Sequence, residues 1–246
     1  MNRNPTILIL GAGSDMAKWI ARKFASSHFA VQLAGRDISQ MERLKKDLVG
    51  RYRADVSIYH FDAIDFDSHA SFISLLSKLP DIVLYTAGYM CDQQEAQEDE
   101  SKTRNTIDVN FTGAVSILNQ FAIHFGKRAS GTIIGISSVA GDRGRGNNYI
   151  YGSSKAAFSA YLSGMRNGLF KKNVRVITVK PGFVYTKMTQ HMALPKKLVA
   201  TPEEVAEEIY TAVNKNKDTV YVKSVWRWIM WVIKLVPEPI FKRINL

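Results

Sequence analysis

The stretch ILILGAGSDMAKWIARKFA, residues 7–25, reads as a buried strand, a glycine turn and an amphipathic helix in direct succession. Its four aliphatic residues run without a polar break, as in a strand covered on both faces, and Gly11 and Gly13 stand where the chain must reverse. From Asp15 onward apolar residues recur at helical spacing, with Met16, Ile20 and Phe24 along one line. A strand that passes straight into a helix opens a βαβ unit, and the next strand must then lie parallel to the first. Glycines in such a turn let backbone approach a pyrophosphate. The first helical turn, at Ser14, Asp15 and Met16, offers unpaired N–H groups and a favourable dipole. A plain tight turn uses the same two glycines, so by itself the turn leaves anion binding and simple chain reversal both open.

The same alternation continues along the chain. Strand-like runs TILIL, AVQLA, VSIYHF, DIVLY, GTIIGIS, VRVITV and DTVYV are separated by segments of helical period at 15–26, 38–49, 67–78, about 100–126, about 151–171 and about 202–214, the last opening with the cap-like TPEE. This pattern predicts an α/β fold, a single doubly wound parallel sheet of about seven strands, with ligands at the carboxyl ends of the strands where the winding reverses. At 246 residues, with no repeat and no low-complexity tract, the chain reads as one domain spanning 1–246.

Charge and cysteine usage narrow the setting. One cysteine, Cys91, allows no internal disulfide and fits a reducing compartment. The short N-terminal apolar run breaks at glycines, which reads as a strand and not a signal peptide, so a cytoplasmic protein is expected. A net charge of +11 favours anionic partners: nucleic acid, a phosphate-bearing cofactor or an anionic membrane face. No recognition helix or aromatic–basic signature supports nucleic acid, which is set aside. No cluster suggests a metal. The excess charge is concentrated in residues 215–246, which hold seven basic side chains against Asp218 and Glu238.

Two places discriminate further. In AVQLAGRD no acid stands at Gly35 to accept ribose hydroxyls, and Arg36 follows at once. A guanidinium there pairs with a 2′-phosphate, which predicts NADP(H). Asp37 keeps NAD(H) as the alternative, and a solvated Arg36 is the plain one. In SSVAGDRGRGNNYIYGSSK, residues 137–155, Tyr151 and Lys155 fall four apart at the start of a predicted helix, on one face. An ammonium near a phenol stabilises phenolate, as an acid/base catalyst needs. Ser138, at the end of the fifth predicted strand, is placed to bind a substrate carbonyl.

Over residues 5–222 the chain resembles the short-chain dehydrogenase/reductase superfamily. The resemblance rests on GAGSDMA, Asp62 after the third strand, TAG (86–88), VNFTG with Asn110, ISSVAG with Ser138, YGSSK, and PGFVYT (181–186). It implies that Tyr151 is the general acid in carbonyl reduction, that Ser138 polarises the carbonyl, and that Lys155 lowers the Tyr151 pKa and holds the nicotinamide ribose. Asn110 would anchor a water relaying protons to Lys155. Asp62 would contact adenine, the Val184 backbone and the Thr186 hydroxyl would clamp the nicotinamide carboxamide, and Ala87, Gly88, Pro181 and Gly182 would also bind the cofactor. A homodimer or homotetramer paired through the helices near 100–126 and 151–171 is implied as well. Two departures stand out: Asp15 and Ala17 replace two glycines of the family's first turn, with Leu10 for a threonine, and Tyr85-Thr86-Ala87-Gly88 replaces NNAG.

The substrate is read from less. Arg143 and Arg145, in GDRGRGNNYI, together with Tyr149, are candidates for contact with a phosphate or sugar; as solvated loop charges the arginines are ordinary. The C-terminal segment 223–246, KSVWRWIMWVIKLVPEPIFKRINL, carries three tryptophans in an apolar run too short to span a bilayer. It is expected to be a helical appendage, dispensable for the sheet and for NADPH, serving an interface, a substrate lid or a subunit contact. YMCDQ, the Arg-bearing loop and this tail resemble the subgroup of decaprenylphosphoryl-2-keto-pentofuranose reductases, implying a lipid-linked keto sugar and peripheral contact with the inner face of the membrane. Any small-molecule ketone or alcohol fits the tetrad itself. A non-catalytic NADP(H)-binding sensor or scaffold is the competing class, and it predicts a broken tetrad.

Overall fold

The structure, a computed structural model, describes residues 4–186, 189 and 195–244. Its first unit follows the opening stretch. β1 (Thr6–Leu10) is wholly buried, α1 (Asp15–Ser26) follows the glycine turn, and β2 (Ala30–Gly35) returns parallel to β1 with Ile7 opposite Val31. The side-chain period of two sends Ile7 and Ile9 to one face and Leu8 and Leu10 to the other. Each face therefore needs its own helical layer. α2 (Ile38–Tyr52) leads to β3 (Val56–His60), and α3 (Phe66–Leu75) leads to β4 (Ile82–Tyr85). Then come α4 (Gln93–Glu98), α5 (Glu100–Ile107), α6 (Gly113–Arg128) and β5 (Gly131–Ile136). α7 (Tyr149–Leu169) and β6 (Val174–Pro181) follow. A two-stranded ladder pairs β7 (Phe183–Val184) with β8 (Val199–Ala200), before α8 (Pro202–Asn214) and β9 (Thr219–Val222).

The main sheet has seven parallel strands in the order β3-β2-β1-β4-β5-β6-β9. The winding reverses between β1 and β4, which puts the ligand crevice at their carboxyl ends. α1, α2 and α8 bury Phe24, Leu44 and Ile209 over one face, while α3, α6 and α7 bury Phe72, Phe121, Phe158 and Leu162 over the other. Each such side chain contributes about 1.5–3 kcal/mol. The TPEE signal is a complete capping box: the Thr201 hydroxyl accepts from Glu204 N at 3.1 Å, and the Glu204 carboxylate accepts from Thr201 N at 2.7 Å.

One expectation is corrected, and one is given its structural setting. The helix foreseen at about 100–126 is two helices, α5 and α6, joined by a π-helical segment Asp108–Thr112 that contains Asn110. There the Tyr85 hydroxyl donates to the Val109 carbonyl at 2.5 Å, taking an acceptor that an unbroken α-helix would have used itself. The tail, for its part, packs onto the core. α9 (Val225–Leu235) buries Trp226 and Met230 against Val139, and α10 (Glu238–Phe241) buries Phe241. Trp226 lies so close over Gly182 that a Cβ there would come within 2.1 Å of the indole.

Candidate active site

The carboxyl ends of β1, β2, β4, β5 and β6 border a cleft of about 530 Å³. At its β1 end the glycine turn is shaped first by packing. Gly11 has φ +89°, and a Cβ there would sit 2.5 Å from the Ala87 nitrogen, so the turn and the TAG segment close on each other directly. One departure from the family pattern, Thr86, lies at that closure: its hydroxyl is 3.3 Å from that of Ser14, and its backbone N donates to Leu10 O. Ser14 is the N-cap of α1, accepting from Ala17 N at 3.0 Å. Asp15 is turned along the helix to Lys18, 3.2 Å away, and its carboxylate adds to the favourable end of the dipole. Asp15 and Met16 both line the cleft.

At the β2 end Arg36 is exposed and lines the cleft, with no hydrogen bond or ion pair among the described residues. Asp37 is committed elsewhere: its carboxylate caps α2 by accepting from Gln40 N at 2.9 Å. Gln40, which the sequence did not point to, reaches back and donates to Gly13 O at 3.1 Å. Asp62 lines the same end, its carboxylate accepting from Ile64 N at 3.2 Å.

The chemistry-bearing groups meet at the β5 end. Ser138, just after β5, accepts from Ala140 N at 3.1 Å, and its hydroxyl reaches toward Pro181 O at 3.5 Å. Tyr151 and Lys155 project together from α7, with the Lys155 ammonium 5.7 Å from the Tyr151 ring centre and donating to Ile136 O at 3.2 Å. Burial pushes the Tyr151 hydroxyl up to about 12, against the pull of the Ser138 hydroxyl and of the Arg145 charge. Burial pushes Lys155 down to about 8. The Arg145 charge thus acts on the Tyr151 phenol in addition to the Lys155 ammonium that the resemblance implied. Asn110 is fully buried. Its carboxamide accepts from Tyr89 N at 2.9 Å and donates to Tyr89 O at 2.8 Å and to the Ser154 hydroxyl at 3.1 Å, tying the loop after β4 to α7. Ala87 and Gly88 lie on that loop and line the cleft.

Pro181, Gly182, Val184 and Thr186 form the far wall, where Thr186 N donates to the Thr189 hydroxyl at 3.2 Å and Thr189 donates to Val184 O. Of the three candidate substrate residues, only Arg145 reaches the cleft. Arg143 is drawn to the tail, 2.6 Å from the Glu238 carboxylate and over the Phe241 ring at 4.2 Å. Tyr149 precedes Tyr151 by two positions on α7, about 200° around the helix, so it faces away from the cleft and is 40% exposed. Asn148 and Trp226 line the cleft although sequence reasoning passed over both. Trp226 had no local signal, because its partners are Gly182 and the Leu198 carbonyl, to which its indole N–H donates at 3.1 Å.

Comparison with known proteins agrees with this geometry. A sequence model described as short chain dehydrogenase matches residues 5–197. An uncharacterised oxidoreductase in the mprA 5′ region of Streptomyces coelicolor is 31% identical over 245 residues, covering 97% of this chain and 95% of its own. Sulfoacetaldehyde reductase of Chromohalobacter salexigens is 26% identical over 250 residues, covering 98% and 92%. Among solved structures, ElxO with NADP bound superposes with a TM-score of 0.81 at 20% identity, covering 92% of this chain and all of the other. The chain belongs to the short-chain dehydrogenase family and is an NAD(P)-dependent oxidoreductase.

Proposed function

We propose that the protein binds NADPH and reduces a ketone to a secondary alcohol, with Tyr151 as the proton donor. One observation carries this reading: Ser138, Tyr151 and Lys155 converge at one end of a cleft whose other end presents an uncommitted Arg36. The cleft suits a dinucleotide, since the N-terminal turn of α1 opens on it and Arg36 is a match for a 2′-phosphate. Asp37, spent on its cap, is a poor partner for the ribose of NAD. That one solved neighbour is an NADP complex supports the same cofactor. When bound, the cofactor supplies a hydride to the carbonyl carbon. Ser138 donates to the carbonyl oxygen and aligns it; Tyr151 gives that oxygen its proton. The phenolate left behind is stabilised by the Lys155 and Arg145 charges and is reprotonated from solvent. Following NADPH absorbance with a panel of ketones tests the reading directly. No turnover with any of them would favour a cofactor-binding sensor.

A finer reading draws on α9. Trp228 and Trp231 are 65% and 56% exposed, Val232 and Leu235 are exposed on the same helix, and Arg227, Lys234, Lys242 and Arg243 are exposed along the same tail. Among the described residues no helix is long and apolar enough to cross a membrane. Such a surface suits peripheral contact with the anionic inner face of the membrane by a cytoplasmic protein. The buried side of the same helix holds Trp226 in the cleft wall, so a membrane-borne substrate would meet the site beside its anchor. This supports a polyprenyl-phosphate-linked 2-keto sugar, and adding that compound to the ketone panel checks it. Pairing into a homodimer or homotetramer through α5, α6 and α7, where Ile107 and Ile123 are exposed, completes the proposal.

A further inference from the structure

The loop between β5 and α7 places two arginines two positions apart, and the fold gives them opposite fates. Arg143 is neutralised by Glu238 and covered by Phe241. Arg145 turns into the cleft beside Tyr151, with its Nε buried and unpaired and with no ion-pair partner among the described residues. The acid closest to it in sequence, Asp142, is already spent: Lys180 lies 2.5 Å from one of its oxygens and the Tyr221 hydroxyl donates to the other at 2.7 Å. Desolvating a guanidinium without a counter-charge is costly, and burial accordingly lowers its pKa. An anion brought by a ligand relieves that cost.

The cofactor is not the source of this anion. Its phosphates belong with Arg36 and the α1 turn, at the ends of β2 and β1, whereas Arg145 stands beyond β5. Strands β2 and β5 are three sheet positions apart, about 14 Å at the usual spacing. A second group agrees with a ligand here. Asn148, the residue before α7, makes no capping bond, and its Oδ1 is buried without a partner on the same cleft wall. An acceptor left open beside a cation fits a molecule that carries both a hydroxyl and an anion.

We propose that Arg145 and Asn148 are the substrate-recognition pair, and that the substrate is a hydroxylated carbonyl compound bearing a phosphate or phosphodiester next to the carbon that is reduced. This rests on the reductase reading above and narrows it. The guanidinium fork takes two phosphate oxygens, Asn148 takes the hydroxyl, and the carbonyl between them is left to Ser138 and Tyr151. Arg145 then has a double use, fixing the ground-state anion and stabilising the phenolate that forms at Tyr151.

The test compares a matched pair, dihydroxyacetone phosphate and dihydroxyacetone, by NADPH oxidation and by calorimetric titration of the NADP⁺-loaded protein. Wild type is expected to favour the phosphate in kcat/KM by about tenfold to a hundredfold, the scale of one charge-assisted contact. In R145M that ratio collapses toward one. R145K retains the charge without the fork and falls between, which keeps the comparison decisive if R145M does not fold. Equal handling of the pair by wild type, or an unchanged ratio in R145M, overturns the proposal and leaves the reductase reading standing as long as either ketone is reduced. If neither is reduced but the phosphate binds more tightly in an Arg145-dependent way, the recognition pair holds and the reductase reading falls. With no turnover and no difference in binding, both are lost.

Discussion

Tyr151 sits under opposing influences, and their balance sets what it can do. Burial holds its hydroxyl near 12, so it remains a proton donor across the working range, while Lys155 titrates near 8. Removing the hydroxyl in Tyr151→Phe takes away the donor and little binding surface: turnover is expected to fall about 100-fold or more with NADPH affinity nearly kept. Wild-type kcat in that variant would sink the assignment. The same two groups predict the alkaline limb. Reduction needs Tyr151 protonated and Lys155 charged, and Lys155 loses its proton first, so kcat/KM declines as pH rises through about 8. A profile flat to well above that pH would remove the Lys155 charge from the mechanism. At the other end of the cleft, Arg36→Ala is expected to erode an NADPH preference about tenfold to a hundredfold, read as the ratio of kcat/KM for NADPH and NADH. These residues were legible in the sequence because each sits at a fixed step from a strand end or from another member of the set. Arg143 and Arg145 were not separable that way. What sorts them is Glu238, 95 positions along the chain, and no local pattern carries that information.

At the level of elements, strand and helix periods gave the sheet directly, since an alternating βα chain with doubly buried strands has few other ways to close. The misses came where a tertiary contact decides. The helical period of 100–126 does not reveal that Tyr85, on a neighbouring strand, takes the Val109 carbonyl and sustains a π turn around Asn110. Nor does an apolar tail reveal that α9 is half wall and half surface. Its inner side meets Gly182, whose missing Cβ leaves room for the indole of Trp226, stacked in turn edge-on to Phe183 at 5.5 Å. Trp226→Ala is expected to cost about 3–5 kcal/mol, a large share of a small protein's stability. It also opens the wall next to Pro181 and Val184, so NADPH affinity drops with it. Thermal melting and cofactor titration of this variant check the point. Unchanged values for both would support a separable appendage, as the sequence by itself suggested.

For the molecule as a whole, the unevenness of a +11 charge matters more than its size, because the basic excess falls on the tail that also carries the exposed apolar side of α9 and lines the cleft through Trp226. If that patch meets anionic lipid, the outer face of α9 can be changed without touching its inner face. Trp228 and Trp231 pack edge-on against each other with centres 6.4 Å apart and stand largely in solvent, so replacing both with Ser is expected to shift stability by no more than about 0.5 kcal/mol each. Their loss from a lipid interface is another matter. A large apolar side chain contributes about 1.5–3 kcal/mol when buried, so even partial insertion of two predicts at least a tenfold weaker association with anionic vesicles. Attraction from Arg227, Lys234, Lys242 and Arg243 adds to this and is screened by salt, the Debye length falling from about 10 Å at 0.1 M to about 3 Å at 1 M. Co-sedimentation should therefore be lost in the double variant and weakened by salt in the wild type, while reduction of a small water-soluble ketone persists in both. Wild type that ignores anionic vesicles at low salt would assign the patch to a protein partner, and the lipid-linked substrate would lose its structural support with it.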